Sequence, residues 1–237
     1  MENKIYHNYK KSLEQKYNAV CFSIDGTLTE KNSKKIDNRA VNMIIELLKK
    51  KVPVVFITGR GETGLHDLKQ DIYDAIIISK NINENDIKRI YVLTNDGARL
   101  FFSTDISNED FLEQSTYITT NSELEQLVIM NDMLKKMNNI YFDIMYSKDS
   151  KTDKIINIRL VLNTEDAEKT KKIYNNINEI ICNNQFESIH LTRGFYKDKA
   201  VIQIGTTTKD KAIEKVEKLL GIPKNSMMRI GSCGDDK

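Results

Sequence analysis

The sequence predicts an α/β fold, in which a mainly parallel sheet is flanked by helices and interrupted by a smaller inserted α+β domain. Two observations indicate this class. Short apolar runs alternate with helix-like segments, which is typical of βαβ units. Between about residues 103 and 198 the alternation changes to another order of helices and strands. With 237 residues, the chain suits one large domain or two modest ones.

The first predicted strand, residues 19–22, is a run of four apolar residues that leads into Ser23-Ile24-Asp25-Gly26-Thr27. Such a run suits a fully buried strand of a parallel sheet, and Asp-Gly-Thr is typical of a turn. If the strand continues to Asp25, the Ser23 and Asp25 side chains point to the same side. They then meet at the carboxyl edge of the sheet, where open α/β folds bind ligands. An ordinary Asp-Gly turn is the alternative interpretation.

A helix is predicted next, capped by Asp37. Its apolar residues recur at helical spacing: Val41, Ile44, Ile45 and Leu48. Pro53 then precedes a second apolar strand, residues 54–57, which leads into Thr58-Gly59-Arg60. The pair of a strand and a polar turn therefore occurs twice in the first 60 residues.

Two further strands are predicted at residues 75–78 and 90–93. The dipeptide Asp96-Gly97 marks a turn, so residues 90–95 and 98–102 are predicted to form a hairpin. Beyond it we expect the inserted domain, with helices at 122–137 and 164–181 and strands at 141–145, 155–162 and 186–192, and a further strand is predicted at 200–204. The predicted boundaries assign residues 1–102 and 199–237 to the core and 103–198 to the insertion.

The last helix begins near Lys209 and ends at Gly221 and Pro223, which form a stop signal. Its apolar residues again have helical spacing: Ala212, Ile213, Val216, Leu219 and Leu220. A strand at residues 227–230 follows, and then the acidic turn at 231–236.

Composition argues against several classes of partner. Lys and Arg total 36 against 34 Asp and Glu, a net charge of +2, so a dedicated nucleic-acid surface is not expected. No apolar run approaches the roughly 20 residues that span a bilayer, so no membrane association is expected either. The three cysteines have no metal-ligand spacing, and reduced thiols in a cytoplasmic protein are the simplest interpretation.

Taken in order, these segments resemble the haloacid dehalogenase superfamily, and among it the phosphatases with a large C2-type cap of the Cof-like, sucrose-phosphatase and phosphomannomutase groups. Residues 23–27 match the first motif of the superfamily except at Ser23, where the family has an Asp. Residues 57–60 match the second motif and residues 209–213 the third. Residues 95–99 look like the Asn-Gly-Ala segment that precedes the cap. The resemblance implies a Rossmann-like parallel-sheet core with an inserted α+β cap.

The resemblance also implies roles for single residues. Asp25 would protonate the leaving oxygen and then deprotonate the attacking water. Thr58, Gly59 and Lys209 would bind the phosphoryl group. Mg²⁺ would be held through Asp25, with Asp235 and Asp236 from the fourth motif. In such proteins the cap selects the leaving group, and Arg193, Tyr196 and Lys197 lie where a cap loop faces the site; a polar surface turn is their alternative interpretation.

Two departures from the family bear on activity. Ser23 stands at the position of the nucleophile and of one metal ligand. In the fourth motif, either Ser232 replaces the first Asp or Gly234-Asp235 begins a motif that the sequence does not complete, in which case a longer polypeptide is expected. The expected function is that of an Mg²⁺-dependent hydrolase of a small phosphate monoester, a sugar or nucleotide phosphate, weakly active or inactive in this chain. The alternative is a catalytically silent protein that binds a phosphorylated ligand or regulates a partner.

Overall fold

The structure is a computed structural model that describes residues 17–29, 36–61, 65–66, 69–70, 73–74, 82–103, 112–137, 141–149, 152–196 and 199–231. Its strands are β1 (Ala19–Ser23), β2 (Val54–Ile57), β3 (Ile90–Thr94), β4 (Arg99–Phe102), β5 (Gln114–Tyr117), β6 (Phe142–Lys148), β7 (Ile155–Leu162), β8 (His190–Tyr196), β9 (Lys199–Gly205) and β10 (Met227–Ile230). Its α-helices are α1 (Asn38–Lys49), α2 (Glu84–Ile87), α3 (Asn121–Lys136), α4 (Ala167–Asn183) and α5 (Lys209–Leu219). Within the described residues, no helix has both the length and the apolar character needed to cross a membrane.

The larger sheet has six strands in the order β10-β1-β2-β3-β4-β5. Its first four strands are parallel, and β4 and β5 are added antiparallel. The predicted α/β class is confirmed, and so is the hairpin of β3 and β4. The strand predicted at residues 75–78 lies outside the described residues.

Helices cover both faces of this sheet because its central strands are apolar on both sides. Helix α1 begins at the predicted cap, where the Asp37 carboxylate accepts a hydrogen bond from the Arg39 amide at 2.8 Å. It packs against the face that carries Val20 and Phe22 of β1. Helix α5 packs against the opposite face, with Ala19 and Cys21. Strand β1 is therefore buried on both sides, and its carboxyl end opens between the two helix layers.

The smaller sheet is antiparallel, in the order β6-β7-β9-β8. Helices α3 and α4 share one apolar core with one of its faces. We call this unit, from α3 to β9, the cap. Strand β5 joins the larger sheet and β9 joins the cap sheet, the reverse of where the predicted boundaries assign them. The division at residues 103 and 198 itself stays a prediction.

One predicted strand begins later than expected. The sequence predicts that β8 begins at Phe186, but it begins at His190. Residues 186–189 instead belong to the turns that follow α4: the Phe186 amide donates to the Ile181 carbonyl at 3.1 Å, and Gln185 has a φ of 54°. Phe186 is apolar because it packs into the cap core.

The turn Asn95–Gly97 between β3 and β4 has three successive residues in the left-handed region, with φ values of 51°, 55° and 98°. Gly97 also packs directly on α5, since a Cβ atom at this position would lie 2.1 Å from the Cβ of Ala212. The absence of a side chain at Gly97 thus lets the turn contact the first turn of α5.

We expect Gly97→Ala to lower the free energy of unfolding by about 2–5 kcal/mol, because it adds overpacking to the cost of a left-handed Ala. Urea denaturation measures this loss. Gly221→Ala is the matched control: its φ is +67° and nothing lies within 4 Å of a Cβ there, so it should cost only about 1–2 kcal/mol. Equal losses in the two variants would contradict the close contact with Ala212. Adding Ala212→Gly to Gly97→Ala should recover part of the stability that Gly97→Ala loses beyond Gly221→Ala.

Candidate functional site

The loops after β1, β2 and β3 are joined by backbone hydrogen bonds at the carboxyl edge of the larger sheet. The Ile24 amide donates to the Ile57 carbonyl at 3.3 Å. The Asp96 amide donates to the Thr58 carbonyl at 3.1 Å, and the Asn95 amide to the Arg60 carbonyl at 2.9 Å. The turn Asn95–Gly97 therefore supports the loop at residues 58–61, and both lie at the edge where open α/β folds bind ligands.

Ser23 is the last residue of β1 and pairs with Ile57 of β2. It is 3% exposed, so its hydroxyl belongs to the buried floor of this edge. Asp25 follows in the exposed turn, and 54% of its side chain is accessible to solvent. The two positions at which the family carries Asp thus differ here in both charge and burial.

The Asp25 carboxylate contacts the second predicted motif directly. Thr58 Oγ1 donates to Asp25 Oδ2 at 3.0 Å, and Arg60 Nε donates to Asp25 Oδ1 at 3.0 Å. Arg60 Nη2 makes a second contact with the same oxygen. The Arg60 amide donates to Thr58 Oγ1 at 3.0 Å. The structure therefore brings together Asp25 and Thr58, and it adds Arg60, whose ion pair with Asp25 was not predicted although the motif Thr58-Gly59-Arg60 contains it.

Gly59 lies between Thr58 and Arg60, and a Cβ atom there would be 3.2 Å from Asp96 Oδ1. The Asp96 carboxylate thus lies against the Gly59 backbone. The sequence predicts Asp96 only as a turn residue. Its left-handed φ, together with the backbone hydrogen bond to Thr58, places its side chain at this loop.

Lys209 is the first residue of α5 and is half-buried. The N-cap is Thr208, whose hydroxyl accepts a hydrogen bond from the Lys211 amide at 3.3 Å. Because the first turn of α5 packs on Gly97 through Ala212, the backbone of Lys209 lies next to the turn that supports the loop at residues 58–61. The three predicted phosphate-binding residues, Thr58, Gly59 and Lys209, thus belong to adjoining segments.

The predicted metal ligands are only partly described. Asp235 and Asp236 lie outside the described residues, as does Ser232. In the part of the chain that the structure describes, no group of three or more His, Cys, Asp or Glu side chains comes together to hold a metal. Asp25 is engaged by Thr58 and Arg60. Mg²⁺ prefers several oxygen ligands in octahedral geometry, so the described donors do not by themselves fit a magnesium site.

The cap lies across this edge. Arg159 Nη2 of β7 donates to the Gly59 carbonyl at 3.4 Å. A Cβ atom at Gly61 would lie 3.0 Å from Ser147 Oγ of β6. Lys211 Nζ of α5 is 2.7 Å from His190 Nε2 of β8. Three strands of the cap sheet therefore contact the loops and the helix that form the site.

Of the three residues predicted for a cap loop that faces the site, only Arg193 has a described side chain, and it lies away from this contact. The Arg193 guanidinium carbon lies 4.4 Å from the ring centroid of Tyr174, which belongs to α4 on the far face of the cap sheet. The Tyr196 side chain and Lys197 lie outside the described residues.

A buried ion pair forms a second contact between the core and the cap. Arg99 Nη1 of β4 lies 2.6 Å from Asp149 Oδ2, which follows β6, and the two side chains are 6% and 2% exposed. The Arg99 guanidinium carbon also lies 4.8 Å from the ring centroid of Phe101 and 5.3 Å from that of Tyr117. The Tyr117 hydroxyl donates to Asp149. Burial, and then this hydrogen bond, raise the pKa of Tyr117 above its ordinary value, which keeps its proton available for the bond.

Comparisons with known proteins agree with this architecture. Residues 20–236 match the model of the haloacid dehalogenase-like hydrolase family. No curated protein matches the sequence.

Among solved structures, a mutant IMP-nucleotidase of Plasmodium falciparum with bound IMP has a TM-score of 0.68 at 18% identity, over 95% of this chain and 62% of that one. The ATP-bound form has a TM-score of 0.60 at 16% identity, over 90% of this chain and 52% of that one. A haloacid dehalogenase-like hydrolase from B. subtilis has a TM-score of 0.56 at 13% identity, over 88% of this chain and 81% of that one. The chain thus spans less than two thirds of the nucleotidase, and at these identities the likeness shows the fold.

Proposed function

Because the chain belongs to the haloacid dehalogenase-like hydrolases, we propose that its site binds a small phosphate monoester and that Ser23 makes hydrolysis slow or absent. The observation that carries the proposal is the cluster of Asp25, Thr58 and Arg60 at the carboxyl edge of the parallel sheet. It brings together a carboxylate from the loop after β1 and a hydroxyl and a guanidinium from the loop after β2.

The phosphoryl group is bound by the segments that adjoin this cluster. A phosphate monoester carries up to two negative charges, so its site needs cations and hydrogen-bond donors. Thr58 supplies a hydroxyl, which exchanges its hydrogen bond to Asp25 for one to the phosphate when the ligand binds. Gly59 supplies a backbone position without a side chain, and Lys209 an ammonium group. Arg60 stands one residue beyond Gly59 and adds a second cation at the same loop.

Ser23 limits the chemistry. A serine hydroxyl is a weak nucleophile unless a base activates it, and both oxygens of Asp25 already accept hydrogen bonds. Loss of a nucleophile in another hydrolase lowers turnover by about 10⁶-fold. Hydrolases of this family typically use Mg²⁺, and in this chain its binding would require Asp235 and Asp236 in addition to Asp25.

A silent phospho-ligand-binding or regulatory protein is the second candidate function. It is favoured by the same Ser23 together with the engagement of Asp25 by Arg60. Both candidates bind phosphate, and they differ only in turnover. A cytoplasmic location remains part of the proposal, and the free thiol of Cys182 is consistent with it.

Calorimetric titration with inorganic phosphate tests the shared step. We expect saturable binding that Thr58→Val and Lys209→Gln each weaken by about 10- to 100-fold, since each removes a hydrogen bond to a charged ligand worth about 1.5–3 kcal/mol. Lys218→Gln is the control, because it removes the same charge from the exposed last turn of the same helix. Absence of phosphate binding, or equal weakening by all three changes, would reject the proposal.

A further inference from the structure

Four of the described strands lie at the edges of their sheets: β10 and β5 in the larger sheet, and β6 and β8 in the cap. The outer side of an edge strand presents amides and carbonyls with which a strand of another chain can pair. Native proteins usually protect such edges by keeping them short or by placing charged residues or bulges in them. Strands β10 and β5 have only four residues each, and β8 has Arg193 at its centre.

Strand β6 lacks this protection at its centre. It has seven residues and is therefore about 23 Å long. Its two charged residues, Asp143 and Lys148, lie near its ends, and its register with β7 shifts only between Ser147 and Lys148. The three central residues are apolar or aromatic: Ile144, Met145 and Tyr146.

Exposed apolar side chains are concentrated around this edge. Successive residues of a strand point to opposite faces, yet Met145 and Tyr146 are 41% and 45% exposed, so both faces of β6 are open to solvent. Tyr141, just before β6, is exposed as well, and so are Val128 and Ile129 of α3. Of the eight exposed large apolar side chains among the described residues, five thus belong to α3, β6 and the residue before it.

Helix α3 borders the same edge of the cap. The Arg193 guanidinium of β8 lies over the ring of Tyr174 in α4, so α4 covers the β8 side of the sheet. Helix α3 packs on β7, the neighbour of β6, and covers the other side. Glu125 and Lys136 are exposed and lie about three turns apart on one face of α3. The exposed face of this helix is therefore acidic near its start and basic at its end.

We infer that the chain forms a dimer in which the β6 edges of two copies pair antiparallel, centred on Met145, and join the two cap sheets into one sheet of eight strands. A two-fold axis perpendicular to the sheet relates the copies, and this is the commonest symmetry of soluble homo-oligomers. The axis keeps both helix layers on the same side of the sheet. Helix α3 of one copy then runs beside α3 of the other in the opposite direction. This inference does not depend on the proposed function.

The arrangement of charges favours a second copy as the occupant of this edge. In pairing centred on Met145, Asp143 lies opposite Ser147. Lys148 lies opposite Phe142, so no like charges face each other across the two strands. In the helix layer, the antiparallel arrangement brings the acidic end of each α3 to the basic end of the other, and opposite charges at such an interface favour association.

The size of the contact sets the expected affinity. A sheet with one layer of helices is about 20 Å thick, so an edge about 23 Å long covers about 450 Å² on each copy and about 900 Å² in total. This area is just below the roughly 1,000 Å² that stable interfaces bury. We therefore expect a reversible dimer with a Kd on the order of 1–100 μM.

Sedimentation equilibrium of the whole chain, at concentrations from about 1 to 500 μM, tests this inference because the range brackets the expected Kd. The average mass should rise from that of one chain to that of two. Met145→Lys places two like charges directly opposite each other at the axis, so it should raise the Kd at least about tenfold.

Leu219→Lys is the matched control. Leu219 is 59% exposed at the end of α5, in the core, and its substitution should leave the Kd within about twofold. A chain that stays monomeric at the highest concentration overturns the inference. So does a dimer that Met145→Lys weakens no more than Leu219→Lys does.

Cross-linking tests the position of the axis. Directly opposite residues of an antiparallel pair have Cβ atoms about 4.5–5.5 Å apart, close to the separation that a disulfide spans. Met145→Cys should therefore form a covalent dimer on mild oxidation, and a reductant should reverse it. Met43→Cys, at a position of the same 41% exposure on α1, should cross-link no more than the parent chain. If the chain is dimeric but Met145→Cys cross-links no better than Met43→Cys, the copies meet through another face and the β6 interface is overturned.

Discussion

Ser23→Asp is expected to raise the Mg²⁺-dependent turnover of phosphate monoesters by at least about 10³-fold over the chain as it stands, a lower bound set against the roughly 10⁶-fold cost of losing a nucleophile. The substitution places a carboxylate at the end of β1, two residues before Asp25. It thereby restores the pair of carboxylates that the first motif of the family carries. Release of inorganic phosphate from an aryl phosphate and from a panel of sugar and nucleotide phosphates measures the change.

Ser23→Asn is the control for this experiment. Asn has nearly the same shape as Asp but carries no charge, so this variant should hydrolyse the phosphate esters as slowly as the parent chain. Thermal unfolding of each variant is needed as well, because position 23 is buried and a carboxylate there is costly unless it is paired. Turnover in Ser23→Asp alone supports a phosphatase site that lacks its nucleophile. A folded Ser23→Asp variant that binds phosphate without turnover supports the silent binding protein instead. Metal-dependent turnover by the parent chain would contradict the proposed effect of Ser23.

Asp149→Asn is expected to lower the free energy of unfolding by about 3–5 kcal/mol, because it leaves the buried Arg99 guanidinium without its counter-charge. The Asp149 carboxylate also accepts hydrogen bonds from the Tyr117 hydroxyl and, at 2.7 Å, from the Thr152 amide. The variant weakens the bond from Tyr117. Urea denaturation measures the loss. A double variant, Arg99→Met with Asp149→Leu, should recover much of it, since an apolar pair carries no buried charge.

The neighbouring pair of Lys148 and Asp153 is the matched control. Its atoms are 2.7 Å apart, but the two side chains are 37% and 80% exposed, so Asp153→Asn should cost less than about 1 kcal/mol. If Asp149→Asn lowered the free energy of unfolding as little as Asp153→Asn does, solvent would be screening the Arg99 charge as well. The joint between core and cap would then contribute little to stability.

Much of the fold follows from local pattern. Helix α1 could be predicted residue by residue because one polar cap precedes four apolar residues at helical spacing. Strands β1, β2 and β3 could be predicted because a parallel strand buried on both faces is continuously apolar. Strand β5 is polar and borders the insertion, so its membership of the larger sheet depends on pairing with β4, which no local pattern encodes.

The site was predictable only in part, for a related reason. The order of the motifs pointed to Asp25, Thr58 and Lys209, since each follows a strand or begins a helix. Arg60 stood in the motif, but its partner is 35 positions away. Arg159 lies in an apolar strand of the cap, 100 positions from Gly59. Asn95 looked like a turn residue, and only its burial beside Gly61 shows that its amide is aimed into a contact between two domains.

The pairing of β1 with β10 also constrains how the chain folds. Ala19 is aligned with Met227, so one edge of an early, apolar strand stays open until the ribosome has released β10, more than 200 residues later. Contacts between such distant residues form slowly because a long loop must close first. During synthesis the open edge of β1 is a place where another strand can pair wrongly. The cap, whose strands lie close together in sequence, can complete its own sheet during that interval, before β10 pairs with β1.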